Sequence, residues 1–382
     1  MNTGIYIHIP FCRKKCDYCS FYSIPTLSLH DNDRDKLIER YVDSVVREIK
    51  NRNEYHGANV DSVYFGGGTP SIVSPSSIDA ILSAVRNNYI VDNSAEITVE
   101  FNPEDVIKDK IAGLIEAGIT RCTLGVQSVS PKMHSLIGRT GHVVTSETMQ
   151  MFMDIKNVDH CIDLITAIPT QQRGDVLRDI QLIEKYRPEH ISAYMLAIEK
   201  GTTLFNRLKD QHDDELLQRD NYYYFIDQCI KMGYRHYEIS NFAFPGHESI
   251  HNMKYWKFQP YIGFGVTAHT FFNGERYYNN QTIEEYITSD IPVLIKDSRS
   301  KNQMIAEFIM TALRLVEGFS EDDYRDIFNE CIPDLVVKRL GNVSMDKLIE
   351  ITVSGNVKRY CLSRDGLCML DDVVFRVVEP LL

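Results

Sequence analysis

The chain has 382 residues, 43% of them hydrophobic and 25% charged, with a formal net charge of −12 at pH 7. That is the composition of a globular protein with room for a large core, and its acidic balance excludes a nucleic-acid or anionic-membrane surface as the main partner. No apolar run reaches the length of a membrane span, and the chain does not open on a basic segment followed by an apolar one; we expect a cytoplasmic protein with no membrane span. Nine cysteines at irregular spacing do not suit a disulfide framework, and Cys122, Cys161 and Cys229 sit in apolar patterns as core thiols would.

The first predicted element is a strand over residues 5–9, from the alternating run Gly4-Ile-Tyr-Ile-His-Ile. It leads straight into Cys12-x-x-x-Cys16-x-x-Cys19. Three thiols in so short a loop fit an iron–sulfur cluster better than zinc, which normally takes a fourth Cys or His from a second pair. A structural zinc loop remains the alternative at this point. Thiolates normally hold all the irons of a [4Fe–4S] cluster, so three ligands leave one iron open to a non-protein ligand.

Further strands are predicted at 62–66, 96–101, 121–127, 161–168 and 191–198, separated by helices at 35–51, 78–88, 103–117 and 174–186. Gly118 closes the third of these helices as a C-cap glycine. A βα alternation implies a parallel sheet, because each crossover needs a helix. Six units are too few for a complete eight-fold barrel, so the fold class is α/β, a partial (β/α)6 barrel. The unusual polar residues recur where successive strands end. They are the cysteine loop, Gly66-Gly67-Gly68-Thr69-Pro70, Glu100-Phe101-Asn102, Gln127, Asp163, and then Tyr194 with Glu199. In parallel barrels this C-terminal rim is where sites are built.

The chemistry of these residues suits a polar, cationic cofactor. Gly67 and Gly68 let backbone approach a ligand, Glu100 and Asp163 can grip hydroxyls or balance a cation, and Arg139 can clamp a carboxylate. Each is more simply structural when taken alone; together on one rim they read as a site.

Past Gly201 the pattern loosens. An acidic stretch at 210–215 precedes an aromatic helix at 220–232, then a polar, aromatic segment covers 237–279. Helices are predicted at 303–316 and 320–328, with short β runs between 349 and 382. We expect residues 1–295 to form the main domain and 296–382 a smaller, mostly helical one. Gly263-Phe-Gly265-Val-Thr-Ala268 matches a loose dinucleotide fingerprint but lacks the following helix, and His247 with His251 lacks a zincin helix. His251-Asn252-Met253-Lys254-Tyr255-Trp256 reads either as a packed aromatic corner or as an axial ligand with flat walls for a macrocycle.

Tyr6-Ile-His-Ile-Pro-Phe-Cys12, Gly66-Gly-Gly-Thr-Pro70, Leu124-Gly-Val-Gln-Ser128, Gly138-Arg-Thr140, Tyr237-Glu-Ile-Ser-Asn-Phe242 and Leu313-Arg-Leu occur in this order. The set resembles the coproporphyrinogen-dehydrogenase-like radical S-adenosylmethionine (SAM) proteins over nearly the whole chain. The resemblance implies a [4Fe–4S] cluster on Cys12, Cys16 and Cys19, and a SAM site formed by Tyr6, Tyr18, Gly67, Gly68, Thr69, Glu100, Gln127, Arg139 and Asp163. Family members that oxidise coproporphyrinogen carry a fourth cysteine two residues after the third, where this chain has Phe21. The heme-chaperone branch carries His-Asn-x-x-Tyr-Trp instead, as at His251–Trp256. That match implies heme as cargo, His251 as its ligand, and transfer to acceptor hemoproteins, membrane-associated respiratory proteins among them. The alternative it implies is a SAM-dependent radical enzyme acting on a porphyrin, as an oxidative decarboxylase or a heme-modifying methyltransferase. Ser20 departs from the Asp common in relatives, at a position that holds no ligand.

Overall fold

The computed structural model describes residues 2–139, 143–208, 214–279, 281–289 and 293–381. Thr140 and most of the acidic stretch at 210–215 lie outside them. One sheet holds twelve strands: β1 (Thr3–Ile9), β2 (Asn59–Gly67), β3 (Ile90–Phe101), β4 (Arg121–Gln127), β5 (Asp159–Thr166), β6 (His190–Met195), β7 (Arg235–Glu238), β8 (Asn241–Ala243), β9 (Tyr261–Phe264), β10 (His269–Phe272), β11 (Glu275–Asn279) and β12 (Leu294–Asp297). Their spatial order is β12-β11-β10-β9-β1-β2-β3-β4-β5-β6-β8-β7. All six predicted strands are present and pair in parallel in chain order. The order keeps two free edges, so the sheet is an open, partial barrel.

Helices α1 (Asp31–Asn51), α2 (Pro75–Asn88), α3 (Lys108–Ala117), α4 (Pro131–Leu136), α5 (Ser146–Met153) and α6 (Arg173–Tyr186) make the crossovers. The alternation in β1 explains how sheet and helices fit. Ile5, Ile7 and Ile9 are wholly buried, as are Tyr41, Val45 and Ile49 of α1, while Tyr6 projects from the other strand face beside Tyr64 of β2. The helix expected at 103–117 is interrupted: Pro103–Asp105 forms a single 3₁₀ turn before α3 begins. Buried Asp105 is drawn inward by Ser71, Arg13 and Lys110.

Beyond the barrel come α7 (Thr203–Leu208), α8 (Glu215–Lys231), α9 (Ile250–Trp256) and α10 (Ile283–Thr288). The C-terminal region adds α11 (Lys301–Ala312), α12 (Glu321–Phe328), α13 (Asp334–Met345), α14 (Arg364–Leu367) and α15 (Leu370–Val378). These helices surround a three-stranded sheet of β13 (Phe319–Ser320), β14 (Ile349–Ser354) and β15 (Val357–Leu362). No helix among the described residues is long and apolar enough to cross a membrane.

The sequence did not foretell a seventh parallel strand. β9 pairs with the outer edge of β1, and the supposed dinucleotide glycines belong to it and its turn into β10. A buried ion pair from the end of α1 fastens this addition. Arg52 lies 3.2 Å from Glu48 and donates to the Gly263 carbonyl at 2.5 Å and to Thr270 Oγ1 at 3.2 Å. Glu48 accepts the Gly265 N–H at 2.9 Å and the Tyr286 hydroxyl at 2.6 Å. Gly265 has φ +100°, and a Cβ there would come within 2.5 Å of the Tyr41 hydroxyl, so glycine is required by conformation and by space.

Truncating one partner of a buried ion pair strands the other charge, at a cost of roughly 3–5 kcal/mol. Arg52→Ala should therefore lower the midpoint of urea unfolding strongly, and Arg52→Met combined with Glu48→Gln should recover part of the loss. Unchanged stability in Arg52→Ala would mean that β9 is held by its backbone ladder alone.

Candidate functional site

At the C-terminal rim of the strands lies a cavity of about 410 Å³, within the range usual for small-molecule sites. It brings together the three cysteines with Tyr18, Gly67, Gly68, Thr69, Glu100, Gln127, Arg139 and Asp163. The cysteine loop supplies one wall. It is bridged back to the barrel by hydrogen bonds from Thr26 N to the Cys12 carbonyl (2.8 Å) and from Ile24 N to the Pro10 carbonyl (2.6 Å). Thr69 Oγ1 donates to Cys12 Sγ at 3.6 Å, within the reach of a sulfur acceptor.

The glycines are fixed by what crowds them. Gly67 has φ +111°, and an added Cβ would meet the His8 ring at 2.5 Å; at Gly68 it would meet the Phe11 carbonyl oxygen at 2.5 Å. Gln127 occupies the left-handed region at φ 63° without being glycine, which costs roughly 1–2 kcal/mol and marks a backbone held out of its preference at a cavity wall.

The lining sets three acids, Glu100, Asp163 and Glu199, against three cations, Lys14, Lys15 and Arg139. Tyr64 donates a 2.6 Å hydrogen bond to Glu100, yet burial and the neighbouring Asp163 carboxylate push Glu100 up to about 8. Burial likewise raises Asp163 to about 6, against hydrogen bonding from Ser192 and the charge of Arg139. Arg139 donates to Asn102 Oδ1 and to the Gly125 carbonyl, both at 2.8 Å. Its buried Nε has no hydrogen-bond partner among the described residues. Burial pushes the Cys12 and Cys19 thiols up. The cavity thus brings thiols together with two carboxyls of raised pKa and a guanidinium.

Asn102 links Thr69 Oγ1 (3.0 Å) to Arg139, and Tyr194 lines the wall formed by β6. Neither was assigned a site role from sequence, although both stand where the strand-end pattern points.

Two predicted site residues are elsewhere. Tyr6 lies one layer beneath the cavity, with its hydroxyl 3.0 Å from His8 Nδ1; His8 Nε2 in turn lies 3.1 Å from the Tyr22 carbonyl. His251 lies at the opposite, N-terminal mouth of the strands and is 1% exposed. Its Nδ1 is 3.1 Å from Ser62 Oγ, its Nε2 is 2.9 Å from the Tyr255 hydroxyl, and its ring stacks on Tyr64 at 5.2 Å. Burial, then the charge of Lys254, lowers its pKa to about 3, so the imidazole is neutral. Glu96 of β3 fixes the helix that carries it, accepting the Ile250 and His251 N–H groups and the Ser249 hydroxyl at 3.0–3.3 Å. His247, the other half of the i,i+4 pair, instead meets Asp159 at 2.9 Å.

Residues 6–183 match the family model described as the radical SAM superfamily. The chain is 30% identical to a protein named heme chaperone HemW from Lactococcus lactis subsp. lactis, covering 88% of this chain and 90% of that one. It is 31% identical to a HemW from Synechocystis sp., over 83% and 79% of the two chains. Among solved structures, coproporphyrinogen III oxidase (HemN) from Escherichia coli, described as a radical SAM enzyme, superposes with a TM-score of 0.81. It is 20% identical, over 98% of this chain and 90% of that chain, a likeness of fold.

The raised carboxyls carry a stability signature. A folded pKa of about 8 for Glu100, against an ordinary 4.5, means that the folded state holds the extra proton. Its contribution is complete below about 4.5 and is lost as pH rises through about 8. The urea midpoint of the ligand-free protein should fall between pH 6 and 8.5, and Glu100→Gln should flatten that slope. A slope unchanged in Glu100→Gln would show that Glu100 titrates normally.

Proposed function

The chain belongs to the HemW family of radical SAM proteins, and on that premise we propose that it is a heme carrier that binds heme and passes it to acceptor hemoproteins. Its rim cavity, in this reading, carries a [4Fe–4S] cluster and SAM. The observation that carries the reading is the assembly of three thiols, two carboxyls with raised pKa and a guanidinium around one cavity, in a chain that also bears the His251–Trp256 motif.

The donor set fits the cofactors. Cys12, Cys16 and Cys19 all line the rim cavity, the donor chemistry that an iron–sulfur cage takes. Cys12, Cys16 and Cys19 would hold it. Because burial favours the thiols, loading iron must expel protons. When bound, the cluster and SAM supply one-electron chemistry at an open iron.

The chain's own residues do the positioning. Gly67 and Gly68 bring backbone to the cavity wall, Arg139 sets a cation there for a carboxylate, and Glu100 and Asp163 ionise beside a cation. Tyr18 offers a flat wall for a base. Tyr6 acts one layer back, through His8 packed on Gly67. His251 is neutral, as an iron ligand must be. Reaching a heme requires it to give up Ser62 and Tyr255, so ligation by His251 entails an outward movement of α9.

After anaerobic reconstitution the wild type should hold about four irons and four sulfides per chain, and Cys16→Ser should lose most of both. In a hemin titration the wild type should bind stoichiometrically, and His251→Ala should change the absorption spectrum of the complex. Failure of the wild type to bind hemin would sink the carrier reading, and SAM-dependent turnover of coproporphyrinogen III would then be the assay of choice.

A further inference from the structure

The rim cavity takes its thiols from a loop that leaves the sheet after Ile9, and much of that loop is tied to itself. Leu27 N donates to the Arg13 carbonyl at 3.0 Å, and Lys15 Nζ to the Phe21 carbonyl at 2.9 Å. An ion pair to the rest of the molecule stands on each side of Cys16. Arg13 meets buried Asp105 at 2.9 Å, and Asp17 meets Arg207 of α7 at 2.8 Å.

The second pair lies at a junction of segments. The Asp17 N–H donates to the Ile137 carbonyl at 3.2 Å, and the Asp17 carbonyl accepts the Leu204 N–H of α7 at 2.8 Å. Arg207 also donates to the Leu136 carbonyl. Gly138 has φ +70°, and a Cβ there would collide with the Asp17 carboxylate, so only glycine lets this turn close on it. Arg139 follows directly. Asp17 therefore joins the cysteine loop to the turn that delivers Arg139 and to α7, which ends the cavity wall of Met195, Leu196, Ala197 and Glu199. Tyr18, on its other side, packs with Leu136 and Leu196 on a small apolar cluster of Met133, Ile137, Ile165 and Ile168, apart from the main core. Asp17 itself stands outside the cavity lining, between two residues that belong to it, Cys16 and Tyr18.

Resting on the cofactor reading above, we propose that Asp17 is a positioning residue for the rim site, with Arg207 as its partner. It sets the spacing between the cysteine wall and Arg139, so that one small ligand can reach both. The argument turns on what the junction does and does not hold. Its ion pair is partly exposed, and such pairs add little to overall stability. The three thiols share one loop that keeps its internal bonds, so assembling a cluster does not need the junction. A ligand that bridges the thiol wall and the Arg139 guanidinium does need it, because its two ends are held by different segments and affinity depends on their being set in advance.

The test uses full-length protein reconstituted anaerobically: wild type, Asp17→Ala, Arg207→Ala, the double variant, and Arg364→Ala. The last removes the 2.8 Å surface pair with Asp227, neither residue of which lines the cavity. Iron and sulfide are counted, SAM affinity is read by equilibrium dialysis, and the reduced cluster is followed by electron paramagnetic resonance with and without SAM. Asp17→Ala and Arg207→Ala should keep the iron, the sulfide and the urea midpoint of the wild type, while Kd for SAM rises about tenfold and the SAM-induced spectral shift shrinks. Arg207→Ala leaves the Asp17 charge in place, so an equal effect assigns the loss to the junction and not to a carboxylate beside the cluster. The double variant should be no worse than the weaker single, as for two members of one interaction. Arg364→Ala should match the wild type throughout. Unchanged SAM affinity in both single variants overturns the proposal, as do losses that multiply in the double variant. Iron lost in step with SAM binding also overturns it, since Asp17 would then serve the loop's folding. In each of these cases the cofactor reading stands; a wild type that takes up neither iron nor SAM overturns both.

Discussion

The polar lining of the barrel is the constraint from which the other features follow. Alternation sends Ile5, Ile7 and Ile9 outward to the helices, and leaves Tyr6, His8, Ser62, Tyr64, Glu96, Glu100, Arg121 and Asp163 on faces away from them. Buried polar groups must find partners inside the protein. At the N-terminal mouth they find them in α9. Glu96 accepts from the start of that helix, Ser62 meets His251, and Arg121 lies 3.6 Å from Glu96 and 3.4 Å from Asp159. At the C-terminal mouth Glu100 accepts from Tyr64 and Arg139 donates to Asn102 and the Gly125 carbonyl, and burial beside Asp163 raises Glu100 to about 8. One mouth is closed over by a helix, and the other is left as a cavity.

The two mouths are nonetheless close in mechanical terms. Tyr64 belongs to both, since its hydroxyl donates to Glu100 at 2.6 Å and its ring stacks on His251 at 5.2 Å. A cation that ionises Glu100 strengthens its grip on Tyr64, and Tyr64 bears directly on the imidazole below. Coupling of this kind is reciprocal, so whatever draws His251 out of the barrel also loosens the wall of the upper cavity. The rim cavity and the His251–Trp256 helix are thus joined through one side chain.

Much of this was legible in the sequence, because periodicity reports strands and helices directly. The six strands, their parallel order and the rim placement of Gly67, Glu100, Gln127 and Asp163 follow from apolar runs and what ends them. The seventh parallel strand was not legible, since Tyr261–Phe264 is short and its glycines answer to Arg52 and Tyr41, which are distant in sequence. Asn102 and Tyr194 carried no composition signal beyond their place after or within a strand. His251 shows the limit most sharply: the motif marks a helix that matters, but which of its side chains faces a cavity depends on Glu96 and Arg314, and neither is local. A second cavity, of about 310 Å³ beside Trp256, was invisible for the same reason, being assembled from segments whose residues meet only in the fold.

The geometry of α9 also sets where its side chains stand relative to the rim cavity. His251 and Trp256 are five residues apart, which at about 100° per residue places them roughly 140° apart around the helix. One helix therefore serves the barrel interior with its histidine and the outer cavity with its tryptophan. β1 alone, from Gly4 beside His251 to Ile9 before the cysteine loop, interposes ~17 Å at about 3.3 Å per residue. That length of packed strand separates α9 from the rim cavity, so a displacement of the helix at one mouth leaves the backbone of the other in place.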